Sequence, residues 1–138
     1  MEEQPGLSDQ YRKASPWPMF VALGFVLSEV GIIVGIFSIA VGGLLLFGGS
    51  VAGILKESAY ADTLWGSLLA FGSVLAAIGV SVVGWRVGVA PGVLVDVIAA
   101  PGDFGLLVPR ALAVAVAGIV LLAAGGTVQA LERSADPR

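Results

Sequence analysis

The sequence contains no cysteine and no histidine, and each absence excludes a class of site. Without cysteine the chain has no disulfide framework and no thiolate chemistry. Without either residue it lacks the side chains that usually bind haem, copper and zinc, so we expect no cofactor and no metal site. Ser/His and Cys/His pairings and a Walker loop are missing as well, so we expect no enzymatic activity.

Charged residues are also scarce, at 12% of the 138 residues, whereas soluble domains carry roughly 25%. With 57% hydrophobic residues and a mean hydropathy of +0.98, too little polar surface remains to coat a water-soluble globule. The natural solvent is therefore a lipid bilayer, and this length predicts one domain. The net charge is -3 and the sequence has no basic patch, so we expect no binding to nucleic acid.

The gaps between charged residues predict the membrane spans, since one crossing needs about 20 apolar residues. The stretches 63–85 and 111–131 contain no charged residue and fit one crossing each. The stretch 14–55 contains one, Glu29. As one straight helix this stretch would be about 63 Å long, twice a hydrocarbon core of roughly 30 Å. We therefore expect it to fold back on itself near Gly35.

These spans predict an all-α membrane protein with four short transmembrane helices, the first two forming a tight hairpin. A Pro/Gly-rich loop separates the third helix from the fourth. A polar N-terminal tail (1–16) and a C-terminal tail (132–138) flank the helical domain (17–131). The predicted helices lie at about 17–35, 38–55, 63–86 and 110–131.

The loop at 87–110 contains Pro91, Pro101 and Pro109. Its apolar segment Val93–Ala100 forms only about two helical turns, which is too short to cross a membrane. We expect a connector here, and the alternative is a segment that lies on the membrane interface or docks against a partner.

The basic residues predict the orientation of the chain. With four spans, the two tails and the 56–62 loop share one side, and this side carries five of the seven basic residues. The opposite side carries Arg86 and Arg110. Basic residues are enriched on the cytoplasmic side, so we expect both termini in the cytoplasm.

Glu29 is the one acid or base well inside a predicted span, six residues before Gly35. A charged side chain in hydrocarbon is costly, and such residues usually face the bundle interior, pair with another group or mark an ion or proton path. Two interpretations stay open. Glu29 is either a proton site or a structural group, which forms a hydrogen bond between helices or stays wet near the interface.

Small residues recur at the spacing of helix packing. This spacing lets backbones approach closely, either within the bundle or against another subunit. The pairs with this spacing are Gly31 and Gly35, Gly49 and Gly53, Ala111 and Ala115, and Ala113 and Ala117.

The N-terminal half resembles a known family in several short motifs. They are Pro5–Arg12, Ala14–Pro18, Ser28–Gly31, Gly42–Leu46 and Gly49–Leu55. Over roughly residues 5–58 the chain is similar to small haloarchaeal membrane proteins called "cox cluster" proteins. Their genes lie among those of a haem-copper cytochrome oxidase.

This resemblance implies a protein of the haloarchaeal cell membrane, in contact with lipids and associated with the terminal oxidase of the respiratory chain. Its role would be that of an accessory subunit or assembly helper without catalytic residues. The alternative is a small proton-coupled transporter, because four short helices and a glutamate in the first are similar to the small multidrug resistance family. The chain departs from that family in its long loop and in Ile33, where an aromatic residue is expected.

Overall fold

A computed structural model describes residues 15–135. In this range 87% of the residues are helical and none lies in a strand. Four helices are long and apolar enough to cross a membrane, which confirms the predicted fold class and indicates a multi-pass membrane protein. The helices are α1 (Trp17–Val34), α2 (Phe37–Glu57), α3 (Leu64–Val87), α4 (Pro91–Ala99) and α5 (Leu107–Ala135), with a 3-10 turn, η1 (Pro101–Phe104), before α5.

The helix ends differ from the predicted ones mainly at α5, which is longer on both sides than the predicted 110–131. Hydropathy reports the apolar part of a helix and not its ends. Pro109 lies in the first turn of α5, where the N–H that proline lacks would have no partner in the helix. Residues 1–14 of the predicted N-terminal tail and 136–138 of the C-terminal tail lie outside the described residues.

Helices α1 and α2 form a hairpin joined by Gly35 and Ile36. Gly35 has φ +87°, a left-handed conformation that glycine adopts without steric cost. The N–H groups of Gly35 and Ile36 both donate to the carbonyl oxygen of Gly31, at 2.9 Å. At the other end of the hairpin, the Ser15 hydroxyl donates to a Glu57 carboxylate oxygen at 2.7 Å. Polar contacts therefore hold both ends of the hairpin.

Helices α3 and α5 form a second antiparallel pair through small residues. A Cβ built at Gly72 would lie 2.7 Å from the carbonyl oxygen of Gly118. A Cβ built at Gly79 would lie 2.6 Å from the carbonyl oxygen of Ala111. These distances leave no room for a side chain, so the two backbones are in direct contact, as in close packing between membrane helices.

Helix α5 also joins the second pair to the hairpin. The side chain of Leu121 packs with Ala52 of α2 and Leu68 of α3 in one buried cluster. In contrast, α1 packs mainly on α2. It is the least buried of the four spans: 17% of its residues are buried, whereas 39% are buried in the most apolar part of α5. The hairpin therefore meets α5 through α2, and most of α1 stays on the outside.

The loop between α3 and α5 corrects the expectation of a plain connector. It contains α4 and η1. Val97 of α4 is 1% exposed and packs in a cluster with Val83 of α3 and Val108 of α5. Its neighbour Ile98 remains 74% exposed. The loop is therefore anchored on the α3–α5 pair by one buried side chain.

Candidate functional site

Glu29 lies on the outer surface of α1 and does not face the bundle interior. It is exposed and takes part in none of the side-chain hydrogen bonds within residues 15–135. Helix α1 has 18 residues and is about 27 Å long, less than a hydrocarbon core of roughly 30 Å. Glu29 precedes the last residue, Val34, by five positions, which places it about 7.5 Å inside the end of the span.

Buried and exposed residues of α1 lie on opposite faces. The buried residues repeat at intervals of four and three, which follows one side of a helix: Gly24, Ser28 and Gly31. Since successive residues are about 100° apart, four exposed residues fall on the opposite side. We call these residues the Glu29 face, and they are Ala22, Val26, Glu29 and Ile33.

The buried face of α1 lies directly against the backbone of α2. A Cβ built at Gly31 would lie 2.5 Å from the Cα of Ala40, and one built at Gly43 would lie 2.7 Å from the Cα of Ser28. The Ser28 hydroxyl donates to the carbonyl oxygen of Phe25 at 2.8 Å, so its hydrogen bond stays within α1. Gly31 therefore lies in a contact inside the hairpin.

The other three glycines of the predicted packing pairs have different surroundings. Gly35 ends α1 in its left-handed conformation. A Cβ built at Gly53 would lie 2.8 Å from Cε2 of Trp17, so Gly53 makes room for the indole ring. A Cβ built at Gly49 would have no other part of the described chain within 4 Å. A role of Gly49 in contact with another chain stays a prediction.

Arg110 connects the start of α5 to the end of α1. Its Nε donates to the carbonyl oxygen of Ile32 at 2.6 Å, and its Nη2 donates to that of Ile33 at 3.1 Å. Its Nη1 donates to the carbonyl oxygen of Leu106 at 2.6 Å. The last carbonyl groups of a helix lack partners within the helix and form the negative end of its dipole. The guanidinium group satisfies two of them and neutralises that end.

Sequence reasoning treats Arg110 as an orientation signal only and misses this contact. The sequence does contain a signal for this contact. Arg110 follows Pro109 at the start of an uncharged span. In an antiparallel bundle, a neighbouring helix ends at this level. Sequence reasoning also misses Gly24 and Gly43, because it considers only the i, i+4 spacing. The spacing of four and then three residues between Gly24, Ser28 and Gly31 indicates the buried face of α1 better than the i, i+4 spacing does.

Two apolar grooves lie beside α4 and are separate from Glu29. One, of about 270 Å³, opens between α3, α4 and α5. The other, of about 310 Å³, shares Ile98 and Leu112 with the first. Neither groove is lined by a titratable side chain or by Glu29. The intramembrane carboxylate and the grooves therefore do not form one site.

The described residues bring no metal-binding cluster together: between residues 15 and 135, no three His, Cys, Asp or Glu side chains could hold an ion jointly. The candidate site is thus a single exposed carboxylate on the outside of a helix that is long and apolar enough to cross a membrane. Chemically, such a group accepts hydrogen bonds, pairs with a cation or exchanges a proton. Each of these requires a group from outside the described chain.

Comparison with known proteins places the chain in a family without indicating its activity. No curated protein and no solved structure matches it. Residues 1–131 match the model of a family of unknown function, DUF7541, and the chain therefore belongs to this family.

Proposed function

We propose that the chain is a non-catalytic accessory or assembly subunit of a haem-copper terminal cytochrome oxidase in the cell membrane. The observation that carries the proposal is the position of Glu29 on the exposed outer side of α1, a helix apolar enough to cross a membrane. Ionisable residues in membrane spans almost always face a protein interior or a water-filled cavity. A carboxylate that faces lipid in the isolated chain reaches such surroundings when another membrane protein covers it.

The oxidase as partner is supported by the resemblance of residues 5–58 to the "cox cluster" proteins. An accessory subunit needs no haem or copper ligands of its own, and the composition without histidine and cysteine suits this role. A haloarchaeal cell membrane, with both termini in the cytoplasm, belongs to the same proposal. The acidic, lysine-poor composition supports it, since such a composition suits a cytoplasm of high salt concentration.

The alternative is a proton-coupled transporter that uses Glu29. Because Glu29 is exposed on α1 and lines neither of the grooves beside α4, a second copy would have to enclose it. A dye-efflux assay in membrane vesicles separates the two functions. Proton-driven efflux that is lost in Glu29→Gln would support the transporter and contradict the accessory subunit.

Co-purification from native membranes tests the accessory function. A tagged chain is extracted in mild detergent, and the proteins and haem absorbance that co-purify with it are measured. The control is the same preparation from cells that carry the untagged chain. We expect oxidase subunits and their haem spectrum in the tagged preparation only. Repeated recovery without any oxidase subunit, even after cross-linking in intact membranes, would show that the proposal is wrong.

A further inference from the structure

We infer that the Glu29 face of α1 is the docking surface for a transmembrane helix of a different protein. That helix brings a hydrogen-bond donor or a basic side chain to Glu29. The inference rests on the proposed function, because it names the contact through which an accessory subunit would join its complex. The Glu29 face is a different surface from the small-residue pairs, of which Gly31 is already used inside the hairpin.

The shape of this face fits a helix as its occupant. Ala22, Val26, Glu29 and Ile33 repeat at intervals of four, three and four, the spacing that forms a seam between two packed helices. Val26 is 54% and Ile33 is 71% exposed. The face extends along most of α1, whose main contacts lie with α2 on the opposite side. A second helix can therefore pack along α1 without moving any described element.

The charges of the described chain favour a different protein over a two-fold pair of copies. Lys56 and Arg133 lie in the last turns of α2 and α5, at the opposite end of the bundle from Glu29. Arg86 lies on α3 and is not part of the Glu29 face. The guanidinium group of Arg110 is already bonded to three carbonyl oxygens. A two-fold contact through the Glu29 face would bring two carboxylates together, because such an interface uses the same patch on both copies.

A partner of complementary chemistry removes this difficulty. Glu29 offers acceptor oxygens on a face that is otherwise apolar. Lysine, arginine, histidine or another donor on the facing helix would satisfy these oxygens and exclude lipid from them. Because polar residues in membrane spans pair in this way, the partner helix should carry its donor within one turn of the level of Glu29.

Site-specific photo-cross-linking in native membranes tests the docking surface. A photoreactive amino acid replaces Val26 on the Glu29 face or, as a control, Val74 on the exposed surface of α3 (57% exposed). We expect Val26 to yield one adduct with another protein. The cross-linked residue should map within one helical turn of a donor side chain in a transmembrane helix, and Val74 should not yield this adduct.

Variants of Glu29 complete the test. We expect Glu29→Leu to lower the yield of the Val26 adduct about 3- to 30-fold, the range for one hydrogen bond between membrane helices, and Glu29→Gln to retain more of it. The unfolding temperature of the purified chain should not fall in either variant, because Glu29 forms no side-chain hydrogen bond within residues 15–135. An unchanged adduct in Glu29→Leu, or an adduct of two copies of the 13.9 kDa chain, would overturn the inference.

The two proposals fail in different ways. If oxidase subunits co-purify but Val26 yields no adduct, the docking surface is wrong and the accessory function stands. If Val26 links to a donor-bearing helix of a protein that is not part of an oxidase, the docking surface stands and the oxidase assignment is wrong.

Discussion

The Nε of Arg110 donates a hydrogen bond of 2.6 Å to the carbonyl oxygen of Ile32, which lies 78 residues earlier in the chain. This contact joins two elements that are otherwise in little direct contact, the end of α1 and the start of α5. It places a cation at the negative end of the α1 dipole, where it is most stabilising. Arg110 therefore adds a polar connection between α1 and α5 to the apolar packing of α2 on α3 and α5.

Replacement of Arg110 by leucine should destabilise the protein by about 1–3 kcal/mol, because two carbonyl groups at the end of α1 lose a charged donor. The stability of Arg110→Lys should lie between that of the native chain and that of Arg110→Leu, since an ammonium group keeps the charge but not the planar fork of donors. The measurement is thermal unfolding in detergent.

Arg86→Leu is the matched control for Arg110, because Arg86 is exposed and makes no side-chain hydrogen bond among residues 15–135. Equal losses of stability in Arg86→Leu and Arg110→Leu would contradict the role of Arg110 as the connection between α1 and α5.

Alanine substitutions of two glycines in α2 should have opposite effects. Gly43→Ala places a methyl group against the backbone at Ser28, so it should force α1 and α2 apart and lower the unfolding temperature. Gly49→Ala meets open space and gains helix propensity of up to about 1 kcal/mol, so the isolated protein should be as stable or more stable. A loss of stability in Gly49→Ala as large as in Gly43→Ala would show that the hairpin packs differently.

The anchoring of α4 through Val97 is testable by hydrogen exchange. Val97→Ala should cost about 1.6 kcal/mol locally, because it removes two methyl groups, at about 0.8 kcal/mol each, from a site that is 1% exposed. Amide exchange in α4 should accelerate by about 15-fold, while α3 should change little. Val95 is 65% exposed, so Val95→Ala is the control and should leave the exchange unchanged.

The predicted orientation is tested by labelling of single cysteines with a membrane-impermeant thiol reagent in intact cells. Gly102→Cys should react, whereas Asp62→Cys and Ser134→Cys should be shielded until the cells are broken. All three positions are exposed, so burial within the protein does not confuse the result. The reverse pattern would invert the orientation, and different behaviour of Asp62→Cys and Ser134→Cys would contradict four spans.

The number of spans is predictable from the sequence because the physics that sets it is local. Charged side chains avoid the hydrocarbon, so the uncharged stretches reveal where α3 and α5 cross. The turn near Gly35 follows from length alone, since 42 residues between Ala14 and Leu55 exceed one crossing. These features need no knowledge of how the helices pack.

The contacts between helices are harder to predict because they depend on the relative rotation of distant segments. Glu29 and Ser28 are neighbours in sequence, yet Glu29 is exposed on the outside of α1 and Ser28 is 3% exposed against α2. The rotation of α1 is set by Gly24, Gly31 and Gly43, whose close fit involves both helices at once. The use of Arg110 as a cap for α1 likewise depends on a contact across 78 residues.

Native mass spectrometry of the tagged chain, released in mild detergent from its own membranes, tests the central claim most directly. We expect a complex whose mass contains the 13.9 kDa chain together with oxidase subunits and haem. We also expect the same complex to be depleted when Glu29→Leu replaces the native chain. A species with the mass of the chain alone or of an integral multiple of it, equally abundant in the variant, would contradict the account.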